Sequence, residues 1–350
     1  MNNEQKLILK GVLINKSEDE KKEIDDLLSQ KLNWAMIGGI LLNHRLGGYF
    51  YMHLSDAQRK KIPREMRKAL ELLVKAQKET HLELIAEQNK VTEELNKTEI
   101  RYAMLKGAFF SSDIYDIGAR RSNDLDLLVY EEDLELLDEH MRKLGYIQSN
   151  LPDGKLIEAT KREKIIQRMN YHDLVPYVKE ISTGILELDI NFLFDGKDNP
   201  IDKTVFEMGT KIYNGRNYTV KALNPYTNLA FLCSHFYREA TNTIWTAGRR
   251  DIVLYKLVDI INYIRVYEKE IDMDEYINVA KKINMVEKTA FTFKILNEFY
   301  DSKFVDLFNE KADSKSIITD EFMNKIYDHK NKTTILRNET FFDAAFSCIL

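Results

Sequence analysis

The sequence predicts an α+β protein that is mainly helical, with one small mixed β-sheet between two helical regions. Three observations lead to this fold class. The 350 residues include only 5 Pro and 14 Gly, which is few for a chain rich in turns. Apolar residues recur with helical spacing before residue 98 and after residue 222. Between these limits the pattern changes to short apolar runs with a period of two, which indicates strands.

The predicted regions are an N-terminal helical region at 1–98, an α/β core at 99–222 and a C-terminal helical region at 223–350. Hydrophobic residues make up 44% of the chain and charged residues 31%, a balance typical of globular proteins that bury a core. A chain of this length can form two or three packed units.

In the N-terminal region, serines mark two helix starts and a proline marks a third. Ser17 and Ser55 each precede a helical pattern and are suited to cap it. Residues 34–46 are strongly apolar and predict a buried helix. Pro63 suits the first turn of a long helix that reaches to residue 96.

In the core, strands alternate with helices. Strands are predicted at 101–105, 124–130, 146–149, 171–179 and 185–194, and helices at 108–114, 131–144 and 157–169. A hairpin is predicted next, with strands at 211–213 and 218–220 and with Asn214-Gly215 as its turn. The C-terminal helices are expected at 225–240, 247–267, 273–284 and 286–300.

The net charge and the absence of long apolar runs argue against DNA and membranes as partners. A net charge of −5 disfavours a broad electrostatic surface for nucleic acid, so we expect no DNA partner. No run reaches about 18 apolar residues and the N-terminus shows no signal-peptide pattern, so we expect no membrane partner and a cytoplasmic location. Cys233 and Cys348 match no metal-ligand spacing and are expected to be reduced structural thiols.

The stretch at 105–129 carries the most specific signal. Asp124 and Asp126 begin an apolar run that predicts a buried strand, and a period of two puts both carboxylates on one face. Upstream, Lys106-Gly107 lies where a strand ends and a helix begins, a geometry that presents backbone N–H groups to a phosphate. Carboxylates suited to a metal and donors suited to a phosphate therefore lie close together in the chain.

Three other residues of this stretch can contact phosphate. Arg120 and Arg121 immediately precede the acidic strand, and Ser111 lies in the predicted helix after the turn. Each of them can instead be a surface residue, and the two arginines can simply pair with the neighbouring acids. The pattern favours phosphate contact for Arg120 more than for Arg121.

A third carboxylate is needed if the pair of aspartates is to hold two divalent ions, because each ion requires several oxygen ligands. The strand at 185–194 supplies Glu187 and Asp189 on one face, and periodicity does not decide between them. Two ions, Mg²⁺ or Mn²⁺, held in this way would orient a nucleoside triphosphate and help an acceptor hydroxyl to ionise. The reaction class that this predicts is nucleotidyl transfer.

The turn Leu105-Lys106-Gly107, followed by Arg120 and the strand Asp124-Leu125-Asp126-Leu127-Leu128-Val129, resembles the polymerase-β-like nucleotidyltransferase superfamily. More narrowly, it is similar to a bacterial family of largely uncharacterised nucleotidyltransferases with a Leu-Lys-Gly turn and an Arg-x-x-x-Asp-x-Asp-Leu-Leu strand. The resemblance implies that Lys106, Gly107 and Arg120 face the triphosphate and that the two aspartates bind the metals.

The third strand follows the family pattern only in part. Glu187 falls where the family carries the acid of this strand, in a pattern of acid, Leu, His and Trp. In this chain the last two positions are Asp189 and Ile190. The choice between Glu187 and Asp189 as the third ligand therefore stays open.

The resemblance implies a Mg²⁺-dependent enzyme that transfers a nucleoside monophosphate, with AMP from ATP as the expected case, to a hydroxyl acceptor. A small molecule or a protein is favoured over RNA as the acceptor. Two alternatives stay open. One is a catalytically impaired nucleotide-binding or scaffold protein on the same fold, and the other is a phosphotransferase that would release a diphosphate.

Overall fold

The computed structural model describes residues 1–328 and 330–347. It confirms an α+β fold that is mainly helical, with a mixed seven-stranded sheet and a separate two-stranded sheet. Cys233 is a buried free thiol, and burial raises its pKa to about 12. Cys348 lies outside the described residues, so the expectation for its thiol stays a prediction.

Helices account for most of the described secondary structure. The helices are α1 Asn3–Gly11, α2 Glu18–Leu28, α3 Trp34–Asn43, α4 Gly47–His53, α5 Asp56–Lys61, α6 Arg64–Leu95, α7 Lys106–Asp113, α8 Leu134–Lys143, α9 Lys161–Asn170, α10 Asp202–Glu207, α11 Pro225–Ala240, α12 Thr243–Ala247, α13 Leu254–Tyr267, α14 Met273–Lys282, α15 Val286–Phe299, α16 Lys303–Lys311, α17 Ser314–Ile317, α18 Asp320–Asn324 and α19 Phe341–Phe346. The strands are β1 Tyr102–Met104, β2 Asp124–Val129, β3 Ile147–Gln148, β4 Tyr177–Ile181, β5 Gly184–Asn191, β6 Thr210–Asn214, β7 Thr219–Leu223, β8 Lys325–Asp328 and β9 Thr333–Leu336.

The chain forms two compact units. The first comprises Met1–Val74 and Leu229–Leu350, and the second comprises Lys75–Asn228 and contains the whole seven-stranded sheet. The boundaries lie within α6 and within α11. The division into three regions at residues 98 and 222 stays a prediction. Within the described chain, no helix combines the length and the apolar character needed to cross a membrane.

Local sequence signals explain how the first helices begin. Ser17 and Ser55 cap α2 and α5, and each side chain accepts a hydrogen bond from the backbone N–H three residues later, as predicted. α6 begins directly after Pro63 and runs for 32 residues. The apolar segment predicted as a buried helix at 34–46 contains α3, whose inward residues are fully buried.

The strand order in the large sheet is β3-β4-β5-β2-β1-β7-β6, which puts β2 at its centre. β2 pairs in parallel with β5 and antiparallel with β1, and β1 pairs in parallel with β7. The apolar residues of β2 are fully buried: Leu125, Leu127, Leu128 and Val129. A strand covered on both faces favours such a nearly continuous apolar run, which is why this strand could be recognised in the sequence.

The strand predicted at 171–179 is wrong in its first half, because β4 begins only at Tyr177. Before it, the chain makes one isolated bridge between Asp173 and Asn191 and no ladder. Pro176 directly precedes the strand and has no N–H to donate, so the ladder ends there.

The helix predicted at 247–267 is wrong at its start, because this segment contains the end of α12 and the separate helix α13. α12 ends where Arg249 takes the left-handed conformation, with a φ of 49°. The N–H groups of residues 249 and 250 then bond to carbonyls in the last turn of α12, as in a Schellman cap. Glycine is the usual residue in this conformation, so an arginine at this position does not indicate in the sequence that the helix ends here.

The predicted hairpin at 211–220 is confirmed in its strands and wrong in its turn. β6 and β7 pair with Asn214 opposite Thr219, which leaves a four-residue loop at 215–218 instead of a tight Asn-Gly turn. The loop is longer because its residues bond to α7, a contact between segments about a hundred residues apart in the chain.

Glu83 of α6 holds the turn between β4 and β5. Its carboxylate accepts hydrogen bonds from the N–H and Oγ of Ser182, both at 2.6 Å, and from the N–H of Thr183 at 2.9 Å. These bonds to Ser182 and Thr183 lower the pKa of Glu83 from 4.5 to about 2.

We expect Glu83→Gln to lower the thermal midpoint at neutral pH and to have a progressively smaller effect as the pH falls from 4.5 towards 2. A carboxylate with a lowered folded-state pKa stabilises the fold above its unfolded pKa, and this contribution disappears as the folded carboxylate is protonated. Thermal unfolding of parent and variant over this range measures the effect. The prediction fails if the difference between the two midpoints does not change with pH.

Candidate active site

Four carboxylates lie on one face at the centre of the large sheet. β2 and β5 run parallel, with Asp124 opposite Glu187 and Asp126 opposite Asp189. Side chains directly opposite each other on neighbouring strands, and side chains two apart on one strand, point to the same face. The register therefore brings together the two acidic pairs that lie about sixty residues apart in the sequence.

Burial and the repulsion of neighbouring carboxylates raise the pKa values of three of these acids, Asp124, Glu187 and Asp189. Burial, and then the charges of Asp126 and Asp124, raise the pKa of Asp189 to about 7. Burial and the charge of Asp126 raise the pKa of Asp124. Burial and the charge of Asp124 raise the pKa of Glu187. The protein surroundings therefore disfavour the ionised forms of Asp124, Glu187 and Asp189.

Lys106 brings positive charge to the cluster from the turn after β1. Its Nζ lies 2.7 Å from Oδ1 of Asp126. Burial disfavours the ammonium, but the charges of Asp126, Asp124 and Asp189 more than offset this effect and raise the pKa of Lys106. Its backbone φ is 39°, a left-handed conformation that costs free energy for any residue with a Cβ. The surrounding structure must therefore stabilise this turn.

The turn leads directly into α7. Leu105 precedes the helix in an extended conformation, and no side chain caps the helix N-terminus in the described part of the chain. The first N–H groups of a helix have no partner within the helix, and they lie at the positive end of its dipole. Such a helix start is suited to bind a phosphate.

Gly107 allows two polar side chains to approach the turn closely. A Cβ placed on Gly107 would lie 3.0 Å from Nη1 of Arg120 and 3.2 Å from Oγ of Ser122. Arg120 is buried, donates a hydrogen bond to Oγ of Ser122 at 3.3 Å, and has its guanidinium 5.5 Å from the ring centre of Phe110. Arg120 is therefore fixed beside the Lys-Gly turn.

The two other residues predicted to contact phosphate have different surroundings. Arg121 is exposed, and its Nε donates to Oδ1 of Asn123 at 3.1 Å. Ser111 is fully buried in the second turn of α7, where its hydroxyl is shielded from solvent. Contact of either residue with a phosphate stays a prediction.

Sequence reasoning missed two residues beside Arg120. Ser122 lies two residues before Asp124, and continuing the period of two along the chain could have identified it. His81 of α6 is buried, and burial followed by the charge of Arg120 lowers its pKa to about 4, so its ring is neutral at physiological pH. In the sequence, His81 has the helical spacing of its apolar neighbours, and this spacing does not indicate that Arg120 lies close enough to affect its pKa.

The donor set fits a divalent cation in its chemistry. Mg²⁺ and Mn²⁺ prefer carboxylate oxygens, and the register brings four of these side chains to one face. Across residues 1–328 and 330–347, no group of three or more His, Cys, Asp or Glu side chains converges in a metal-binding arrangement. Asp126 is instead paired with Lys106. Metal coordination by the four carboxylates therefore stays a prediction.

Comparison with known proteins indicates the family of the chain. A family model described as "Uncharacterised nucleotidyltransferase" matches residues 30–301. Among solved structures, the chain is similar to an antigenic nucleotidyltransferase-like protein from Paracoccidioides brasiliensis, with 16% sequence identity over 53% of this chain and 78% of that one. The TM-score of this comparison is 0.31. No curated protein matches the chain in sequence.

Proposed function

This chain belongs to the uncharacterised nucleotidyltransferase family, and from that premise we propose that it is a Mg²⁺-dependent enzyme that transfers AMP from ATP to a hydroxyl group. The proposed acceptor is a small molecule or a protein side chain. The observation that carries the proposal is the register of β2 and β5, with Asp124 opposite Glu187 and Asp126 opposite Asp189. It is supported by the Lys-Gly turn, whose lysine contacts the same acidic cluster.

In this proposal, Asp124 and Asp126, together with Glu187 or Asp189, bind the divalent cation. When bound, the cation neutralises charge on the triphosphate and lowers the pKa of the acceptor hydroxyl. The raised pKa values of Asp189 and Asp124 support such a role, because a bound cation would favour the ionised carboxylates that burial and mutual repulsion disfavour.

The triphosphate binds beside the acidic cluster, at the end of β1, which pairs with β2 on the edge away from β5. Lys106, the first N–H groups of α7 and Arg120 provide positive charge and hydrogen-bond donors. These groups are already fixed by burial and by contacts within the protein. They can therefore stabilise the charge that develops on the leaving pyrophosphate without reorganising during the reaction.

The transfer itself forms one bond and breaks one. The acceptor oxygen bonds to the α-phosphorus, and the bond from that phosphorus to the oxygen bridging to the β-phosphate breaks. Pyrophosphate leaves with the electron pair of the broken bond. The proton of the acceptor hydroxyl passes to Glu187 or Asp189, whichever carboxylate does not bind the metal.

The test is incubation of the chain with α-labelled nucleoside triphosphates, Mg²⁺ or Mn²⁺, and candidate acceptors that include the chain itself. We expect pyrophosphate release from ATP and label in the acceptor. A diphosphate product would show a phosphotransferase instead, and nucleotide binding without any product would favour the impaired nucleotide-binding protein. Glu187→Gln and Asp189→Asn in the same assay decide which acid completes the site.

We expect Gly107→Ala to weaken triphosphate binding about tenfold, because the new methyl group displaces Arg120 and Ser122 from the turn by a few tenths of an ångström. Calorimetric titration with a non-hydrolysable ATP analogue and Mg²⁺ measures this affinity. Gly248→Ala is the matched control, because a methyl group there makes only ordinary contacts of 3.7 Å or more. Equal affinities of Gly107→Ala and the parent would refute the role given to the turn.

A further inference from the structure

The loop between β6 and β7, residues 215–218, is hydrogen-bonded along the whole length of α7. Nδ2 of Asn217 donates to the carbonyl of Ser111 at 2.7 Å and to the carbonyl of Tyr115 at 2.9 Å. The N–H of Asn217 also donates to the carbonyl of Ser112 at 3.1 Å. Asn217 therefore bonds two carbonyls in the last turn of α7, those of Ser111 and Ser112, and a third carbonyl, that of Tyr115, just after the helix.

These bonds supply hydrogen-bond donors to carbonyls at the end of the helix, where donors within the helix are lacking. The last four carbonyls of a helix have no donor within the helix. Besides Asn217, Nε of Arg216 donates to the carbonyl of Asp113, the last residue of α7, at 3.0 Å. The end of α7 is thus capped by a different segment of the chain, about a hundred residues later in the sequence.

The same loop reaches the other end of α7. The hydroxyl of Tyr218 donates to the carbonyl of Ala108 at 2.6 Å, and Ala108 directly follows Gly107. Oγ of Ser112 donates in turn to the carbonyl of Tyr218 at 2.8 Å. The loop therefore contacts the first turn of α7, next to the Lys-Gly turn, as well as the last one.

Gly215 allows this close approach. A Cβ at residue 215 would overlap the carbonyl oxygen of Ser112, lying closer to it than real Cβ atoms come to another atom. The neighbouring atom belongs to the backbone, so it cannot move aside as the end of a flexible side chain can. The loop and α7 are in direct backbone contact at this point.

α7 depends on such support. It has eight residues, and its sequence Lys-Gly-Ala-Phe-Phe-Ser-Ser-Asp contains few good helix formers. A helix this short does not form stably without tertiary contacts. Its first residue, Lys106, is moreover in the left-handed conformation. The contacts that hold α7 in place therefore also position the Lys-Gly turn.

We propose that the 215–218 loop is a positioning element for the triphosphate-binding turn and that Asn217 is its principal residue. Asn217 does not contact the nucleotide; it acts by holding α7, and α7 holds Lys106 and Gly107. The part of this inference that concerns nucleotide affinity rests on the proposed function. The part that concerns the order of α7 does not.

The test compares three variants of the full chain with the parent. Asn217→Ala removes the side-chain donor, and Asn217→Asp keeps the size and shape of the side chain but leaves it no N–H to donate. Asn214→Ala is the matched control, because Asn214 lies in the same hairpin and its side chain accepts from Thr219 and not from α7. Hydrogen exchange of the α7 amides and affinity for a non-hydrolysable ATP analogue with Mg²⁺ are measured for each.

In both Asn217 variants we expect the α7 amides to exchange about tenfold faster and the analogue to bind about tenfold more weakly, with KM for ATP raised more than kcat is lowered. Asn214→Ala should stay within about twofold of the parent in both measurements. A general loss of structure would instead accelerate exchange in all strands of the sheet. If Asn217→Ala unfolds the chain, Tyr218→Phe, which loses the bond to Ala108 together with the hydrogen bonds of this hydroxyl with Gln88 and Ser111, should still weaken binding about threefold.

Unchanged exchange in α7 and unchanged affinity in both Asn217 variants would overturn the inference while leaving the proposed function intact. If the parent binds no nucleoside triphosphate, the proposed function fails, and the exchange measurement still decides whether the loop holds α7. If Asn217→Asp behaves as the parent, the two side-chain hydrogen bonds are not what positions the helix, and the inference is wrong.

Discussion

Replacing Asp124 or Asp126 by asparagine is expected to reduce pyrophosphate release at least about 10³-fold. Each substitution removes a negative oxygen from the face that would bind the divalent cation, and charge stabilisation of this kind contributes several kcal/mol to the transition state. A loss of about 4 kcal/mol corresponds to a factor of about 10³ in rate. Steady-state pyrophosphate release with ATP and Mg²⁺ measures the effect.

Thermal stability separates this loss from simple unfolding. Burial and the charge of Asp126 raise the pKa of Asp124, so the folded protein disfavours its ionised form. A neutral asparagine at this position should leave the thermal midpoint unchanged or raise it. Asp138→Asn is the control, because Asp138 lies in the same unit and accepts from Tyr177 outside the acidic cluster. If Asp124→Asn and Asp126→Asn release pyrophosphate as fast as the parent, these carboxylates are not catalytic.

The second large effect is expected for Lys106→Met, with kcat/KM for ATP lowered about 10²-fold, which corresponds to about 2.7 kcal/mol. Methionine has a comparable length but no charge, so the turn loses its attraction for the triphosphate. The substitution also leaves Asp126 without the ammonium that lies 2.7 Å away. We expect most of the loss to appear as a higher KM, because the lysine binds the triphosphate before and during the reaction.

Lys106→Arg tests whether charge alone is sufficient. The guanidinium keeps the positive charge but is larger and planar, so it cannot replace the ammonium in the same contact with Asp126. We expect an intermediate kcat/KM between those of the parent and of Lys106→Met. Parental kcat/KM in Lys106→Met would exclude this lysine from triphosphate binding.

Much of the site could be predicted from the sequence because its signals are local. A period of two puts Asp124 and Asp126 on one face, and the same rule applies to Glu187 and Asp189. The Lys-Gly turn stands directly between a strand and a helix, as predicted. Each of these inferences depends only on residues that are neighbours in the chain.

The parts that could not be predicted depend on contacts between distant segments. Periodicity shows which side chains share a face, but not that Asp124 lies opposite Glu187, because strand register depends on the packing of the whole sheet. The contacts of Asn217 with α7 join segments about a hundred residues apart. The end of α12 depends on an arginine in a conformation that its residue type does not indicate.

The pairing of β5 with the central strand β2 restricts which changes in chain length the protein can tolerate. Because side chains alternate between faces, a one-residue insertion or deletion in β5 before Glu187 would turn Leu188 and Ile190 towards the acidic face and move both acids of this strand away from it. The connection between β3 and β4 is free of this restriction up to its end, where Asp173 makes an isolated bridge with Asn191 of β5. Natural variation in length should therefore accumulate in that connection, while the spacing within β2 and β5 stays constant.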